Sequence, residues 1–129
     1  MAGETNLDKL IAGMKPRLDP EVYVFAMVSE PVECGAVMRF FEAEGETLIL
    51  SEAEAARVGL DGTFRSRRIT LEVHSALDAV GFLARITTRL AALGMGVNPV
   101  SAFYHDHLFV PADRAEEAMA ALEDLSKRA

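Results

Sequence analysis

With 129 residues, half of them hydrophobic, the chain can build a real core and is long enough for one compact unit or for two half-sized lobes. Thirteen Lys and Arg stand against 20 Asp and Glu, a formal charge of −7. That balance argues against nucleic-acid binding, which is driven by neutralising phosphates with cations. Arg65, Arg67 and Arg68 form the one basic cluster, and it reads as a solvated strand edge.

A single cysteine, Cys34, rules out an internal disulfide and a thiolate metal site, and a reducing compartment fits. The opening MAGETNLDKLIAGMKP is too polar for a signal peptide, and no apolar run approaches the length of a membrane span. A cytoplasmic protein without membrane attachment is expected.

Leu7, Leu10, Ile11 and Met14 recur at helical spacing, and Pro16 is expected to close that helix. Glu21 to Val28 reads as a strand that is apolar on both faces, with Val22, Val24, Ala26 and Val28 on one side and Tyr23, Phe25 and Met27 on the other. Such a strand is expected to be covered on both sides. Val37–Ala43 and Thr47–Leu50 follow as a hairpin around Glu44-Gly45-Glu46. Ser51 and Glu54 have the spacing of a capping box opening a short helix that Gly59 ends. Leu60 to Thr63 reads as the lobe boundary, giving an N-terminal lobe over 1–63 and a second over 64–129.

In the second half, Arg68–Val73 alternates as a strand with Ile69, Leu71 and Val73 inward. A helix is expected from about Ala79 to Leu93, its buried side carrying Leu83, Ile86, Leu90 and Leu93. Val97–Tyr104 and His107–Val110 read as strands around a tight turn at His105-Asp106. Asp113 with Glu116 marks the start of a last helix, whose stripe is Ala115, Ala118, Met119, Leu122 and Leu125. Met27, Met38, Met95 and Met119 read as core filler. The order β-α-β-β-α, preceded by a similar but degenerate frame, predicts an α+β, ferredoxin-like βαββαβ fold in two lobes. No sequence repeat is evident between the halves.

The run DAVGFLARITTRLAALGMGVN, from Asp78 to Asn98, is the strongest functional signal. A helix start offers unpaired N–H groups and partial positive charge, a receptacle for carboxylate or phosphate. Asp78 beside it could hold an amine, so the loop suits a zwitterion, with the amides of Val80 and Gly81 on the carboxylate. The same Asp78 could instead be a helix cap, or the partner of Ser75 in a capping box. Gly81 reads equally as a place for close ligand approach and as tight packing. Asn98 and Ser101 are expected near the helix start, Asn98 serving either a ligand or the turn before Pro99.

His74, His105 and His107 raise a zinc hypothesis, weighed against a structural hydrogen-bond network. No catalytic signature such as Gly-x-Ser-x-Gly, a phosphate loop or His-Glu-x-x-His is present, so neither an enzyme nor a cofactor nor a resident metal is expected.

These residues also carry a resemblance. Ile69 to Val97 resembles an ACT domain, in which an acid, a proline-glycine pair two residues on, a helix and a glycine before the next strand are common. Asp78, Val80, Gly81 and Gly94 stand at those places, with Val80 where proline is usual. The stretches VHSALDAVGFLA (73–84) and NPVSAFYHDHLFVP (98–111) look like the signatures of a bacterial family of small ACT-like proteins of unassigned function. At fold level the chain is also similar to the tandem-ACT arginine sensors.

The resemblance implies a regulatory module that binds an amino acid at a lobe or subunit interface near the 74–81 loop, and a homodimer. The implied site comprises His74, Ser75, Asp78, Val80, Gly81, Asn98 and Ser101. Two other classes remain beside it: a structural or protein-interaction module without ligand, and a small His-based metal enzyme.

Overall fold

The computed structural model describes residues 3–128. Its order of elements is α1 (Leu7–Gly13), β1 (Lys15–Val28), β2 (Ala36–Glu42), β3 (Gly45–Ser51), α2 (Glu52–Arg57), β4 (Thr63–Glu72), α3 (Phe82–Ala91), β5 (Asn98–Ser101), β6 (Asp106–Pro111) and α4 (Ala115–Lys127), with a 3-10 turn at Ala112–Arg114 before α4. Two compact units are present. The first takes the chain up to Asp19 together with everything from Arg67 onward, and the second is Pro20–Ser66. Strands β1 and β4 pass through both, so each unit is an α+β frame built on part of them.

In the first unit the strands run β1-β4-β6-β5, with β5 and β6 antiparallel. Ile69 and Leu71 of β4, Leu108 and Val110 of β6, Ile86 and Leu90 of α3, Ala118 and Leu122 of α4, and Leu10 and Ile11 of α1 close one core; all ten are fully buried. The helical periodicity of α3 and α4 therefore translates directly into packing, with Leu83, Leu93, Met119 and Leu125 at its margin.

In the second unit the order is β2-β3-β1-β4, and β3 pairs antiparallel with both neighbours. Val24, Ala26, Val28, Leu48 and Leu50 share the face covered by Ala55 of α2.

Several expectations change. The first strand begins at Lys15, not Glu21. Pro16 and Pro20 lie within it because their fixed φ is compatible with extended chain and a missing N–H matters only where a ladder bond is needed. Strand β1 is central by pairing and covered on both faces for most of its second-unit portion. Val24, Ala26 and Val28 are buried on one side, and Tyr23 is buried and Phe25 half-buried on the other, where only Met27 near the strand's end is 48% exposed and so is no core filler. The hairpin turn is Ala43-Glu44, Glu42 pairing with Gly45, one residue earlier than predicted. Strands β4 and β6 are longer than predicted and β5 shorter.

Helix α4 is opened not by an Asp113 cap but by the 3-10 turn, with no side-chain cap. Helix α3 starts at Phe82, three residues late, because Gly81 adopts φ 89°, a left-handed conformation that ends the preceding loop and suits glycine. Where it was expected, the Ser51 hydroxyl accepts the Glu54 N–H at 3.0 Å.

Candidate functional site: a buried carboxylate beside an uncapped helix start

Three segments of the first unit surround a cavity of about 220 Å³: the 75–79 loop, the start of α3 at Phe82 and Leu83, and the β5–β6 connection with Ser101, Ala102 and Asp106. The loop is held from behind by the N-terminal segment. Glu4 N–H donates to the His74 carbonyl at 2.9 Å, and Ala76 N–H donates to the Glu4 carbonyl at 3.0 Å. Gly3 allows this approach, since a Cβ there would lie 2.6 Å from the Ser75 carbonyl carbon.

Asp106 supplies the cavity's charge. It opens β6 opposite Ser101, two residues before Leu108 and four before Val110, so its carboxylate projects onto the core face of the sheet. Only 8% of the residue is exposed. Ser101 donates its hydroxyl to one carboxylate oxygen at 2.5 Å. No Lys, Arg or His among the described residues forms an ion pair with it. A largely buried carboxylate without a counter-charge is costly, and a cation entering the cavity would relieve it.

At the same cavity, the start of α3 presents the other sign. Its first intrahelical bond is Arg85 N–H to the Gly81 carbonyl at 3.0 Å, and no side chain caps it. The amides of its first turn are therefore free by geometry and carry the positive end of the helix dipole. Positive helix-start amides and an acid at one small cavity are the two features that recognition of a zwitterion would require. The rest of the lining (Ala76, Leu77, Ala79, Phe82, Leu83, Ala102) is apolar.

Of the residues picked from sequence, Ser75 and Ser101 line this cavity. His74 and Asp78 line a second hollow of about 160 Å³, which shares Ser75, Ala76 and Leu77 with the first and adds Gly3 and Phe103. The His74 ring packs on Tyr104, centroids 5.2 Å apart. Val80 is 84% exposed and lines neither, Gly81 forms the α3 N-cap, and Asn98 is exposed at the start of β5 opposite Phe109. Asp106 was missed because His105-Asp106 reads as a turn, whereas the turn lies two residues earlier, at Phe103-Tyr104, closed by Ala102 N–H to the His105 carbonyl at 3.0 Å.

The histidines go different ways. His107 Nδ1 shares a hydrogen bond with the Thr70 hydroxyl at 2.9 Å on the opposite face of the sheet. Burial first, then the neighbouring Arg68 and His105, hold its pKa below the usual histidine value. Among the described residues no three His, Cys, Asp or Glu side chains gather as a metal site. No helix of the described residues is long and apolar enough to cross a membrane.

The architecture is that of a tandem ferredoxin-like module with a ligand-sized hollow at a helix start. ACT-domain family models match residues 2–67 and 64–124. The chain belongs to the ACT-domain family, carrying two such domains in series.

Among solved structures it is similar to a protein of unknown function from Vibrio cholerae, described as a possible transport protein, with 35% identity and a TM-score of 0.85 over 93% of this chain and 95% of that one. A protein from Agrobacterium tumefaciens shares 20% identity with a TM-score of 0.71 over 88% and 89% of the two chains. The ligand-free regulatory subunit of aspartate kinase from Thermus thermophilus has the same fold, with 12% identity and a TM-score of 0.62 over 85% and 95%. No curated protein matches the chain.

Proposed function

We propose that this protein is a cytoplasmic, non-catalytic regulatory module that binds a free amino acid in the first-unit cavity, the ammonium on Asp106 and the carboxylate on the opening amides of α3. The single observation that carries the reading is Asp106: a carboxylate on the core face, 8% exposed, bonded by Ser101 and lacking an internal cation. The cavity volume of about 220 Å³ lies below the roughly 300–1,000 Å³ of pockets for drug-sized ligands, which supports a ligand no larger than one amino acid. Family membership and the aspartate-kinase regulatory fold support regulation over catalysis. We read the lobes as 1–63 and 64–129, and the acidic surface speaks against nucleic acid and membrane partners.

The test is a thermal-shift series with each of the twenty standard amino acids. A ligand present at one hundred times its Kd stabilises by about 2.7 kcal/mol. One or two amino acids should raise Tm by a few degrees, and Asp106→Asn, which keeps shape and the Ser101 bond, should remove the response. No shift with any of them would end this reading.

A second observation favours a partner surface. Phe40 of β2 and Met27 of β1 are exposed on the same face of the sheet, each paired with Thr47 of the β3 strand between them, and clustered exposed apolar groups mark interaction surfaces. We assign them to a homodimer contact, checked by sedimentation: Phe40→Asp should shift the protein from dimer to monomer. A dimer that binds no amino acid would favour the purely structural alternative.

A further inference from the structure

The two units repeat one hairpin. In β3, Glu46-Thr47-Leu48-Ile49-Leu50 is buried, half-buried, buried, buried, buried. In β6, Asp106-His107-Leu108-Phe109-Val110 follows the same sequence of burial. Both strands pair antiparallel with an edge strand: Phe41 opposes Glu46 as Ser101 opposes Asp106, and Arg39 opposes Leu48 as Pro99 opposes Leu108. Glu46 and Asp106 are thus equivalent carboxylates, each 8% exposed and each two residues before a fully buried leucine.

Their counter-charges differ. Arg39 Nη1 reaches Glu46 Oε1 at 3.4 Å, while its Nη2 donates to the carbonyls of Val32 and Cys34 at 3.1 and 3.0 Å. A cation from the chain therefore bridges the acid and the loop before β2. Pro99, at the equivalent position, brings no charge and no donor, and Asp106 faces a cavity instead.

The geometry points to Arg39 as a built-in occupant: in the second unit it fills the place that the ligand's ammonium takes in the first. The chain then holds one ligand, not two, and Pro99 is the residue that leaves Asp106 accessible to an exogenous amine. This rests on the amino-acid reading above and adds to it the stoichiometry and a residue that decides occupancy. Placing an arginine at 99 should give Asp106 an internal cation and exclude the ligand. A neutral side chain of similar length should not.

The experiment is equilibrium dialysis of the full chain against a radiolabelled mixture of the twenty amino acids. The wild type should bind one molecule per chain. Pro99→Arg should weaken binding roughly 100-fold, as expected for a competing charge at a desolvated ion-pair site, whereas Pro99→Gln stays within about threefold. Near-ultraviolet circular dichroism checks that both variants are folded. Arg39→Gln should leave the first site's affinity unchanged. Two molecules per wild-type chain, or full-strength binding by folded Pro99→Arg, would overturn the inference while the amino-acid reading stands. Absence of any wild-type binding would overturn both.

Discussion

Helices α2 and α3 meet the same problem, four amides without intrahelical acceptors, and answer it in opposite ways. At α2, Ser51 caps the Glu54 amide, and Glu52 and Glu54 put negative charge in the first turn. Glu54 is itself committed: its carboxylate accepts from Arg57 Nη2 and from Gly35 N–H, each at 2.7 Å. At α3, a left-handed glycine replaces the cap and no acid lies in the first turn. The same contrast recurs in the two hairpins, where Glu46 pairs with Arg39 and Asp106 lines a cavity. In one ACT domain the helix start and the buried acid have partners within the chain; in the other neither a side-chain cap nor an ion pair is found among the described residues. On the proposed reading, two domains of one fold thus teach that a ligand site is defined by what the chain withholds, not by the fold.

If α3 is held by packing and α2 by its cap, the largest loss should come from the α3 core. Ile86→Ala removes a fully buried side chain and should cost about 2–5 kcal/mol in chemical denaturation. Gly81→Ala comes next, at about 1–2 kcal/mol. The new Cβ would meet only Leu7 Cδ2 at an ordinary 3.6 Å, so the cost is conformational, set by φ 89°. Ser51→Ala should cost about 1 kcal/mol, the worth of a cap, and no ligand response should change. A Ser51→Ala loss equal to that of Ile86→Ala would break the comparison.

The smallest effect is acid sensitivity. Arg57 and then the Gly35 amide lower the Glu54 pKa from 4.5 to about 2. A depressed folded pKa gives stability that is complete above 4.5 and lost as pH falls toward 2. Glu54→Gln should flatten that limb of the stability–pH curve, read by urea titration at stepped pH.

Much of the fold was legible in periodicity. The stripes of α3 and α4 and the alternation of Ile69 and Leu71 predict their burial because a helix or a strand exposes one face at fixed spacing. Boundaries were less legible. Pro16 looks like a stop, yet an extended chain tolerates it, and Asp78-Ala79 looks like a helix start, yet Gly81 sets the real one.

The repeat between the halves was hidden because Glu46–Leu50 and Asp106–Val110 share only one identity, Leu48 with Leu108. Their kinship lies in the order of burial, which needs coordinates. Of the residues lining the cavity, the sequence singles out Ser75, from its capping-box spacing to Asp78, and Ser101, from its expected place near the helix start, but not Asp106. A charged residue after a histidine reads as a turn until pairing with Ser101 places it on the core face.

Isothermal titration of wild type, Asp106→Asn and Asp78→Asn with the amino acid that most raises the wild-type Tm tests the account most directly. Asp106→Asn should lose the heat of binding while Asp78→Asn retains wild-type affinity. Retained affinity in a folded Asp106→Asn protein, with loss in Asp78→Asn, would move the site to the hollow lined by His74 and Asp78 and contradict it.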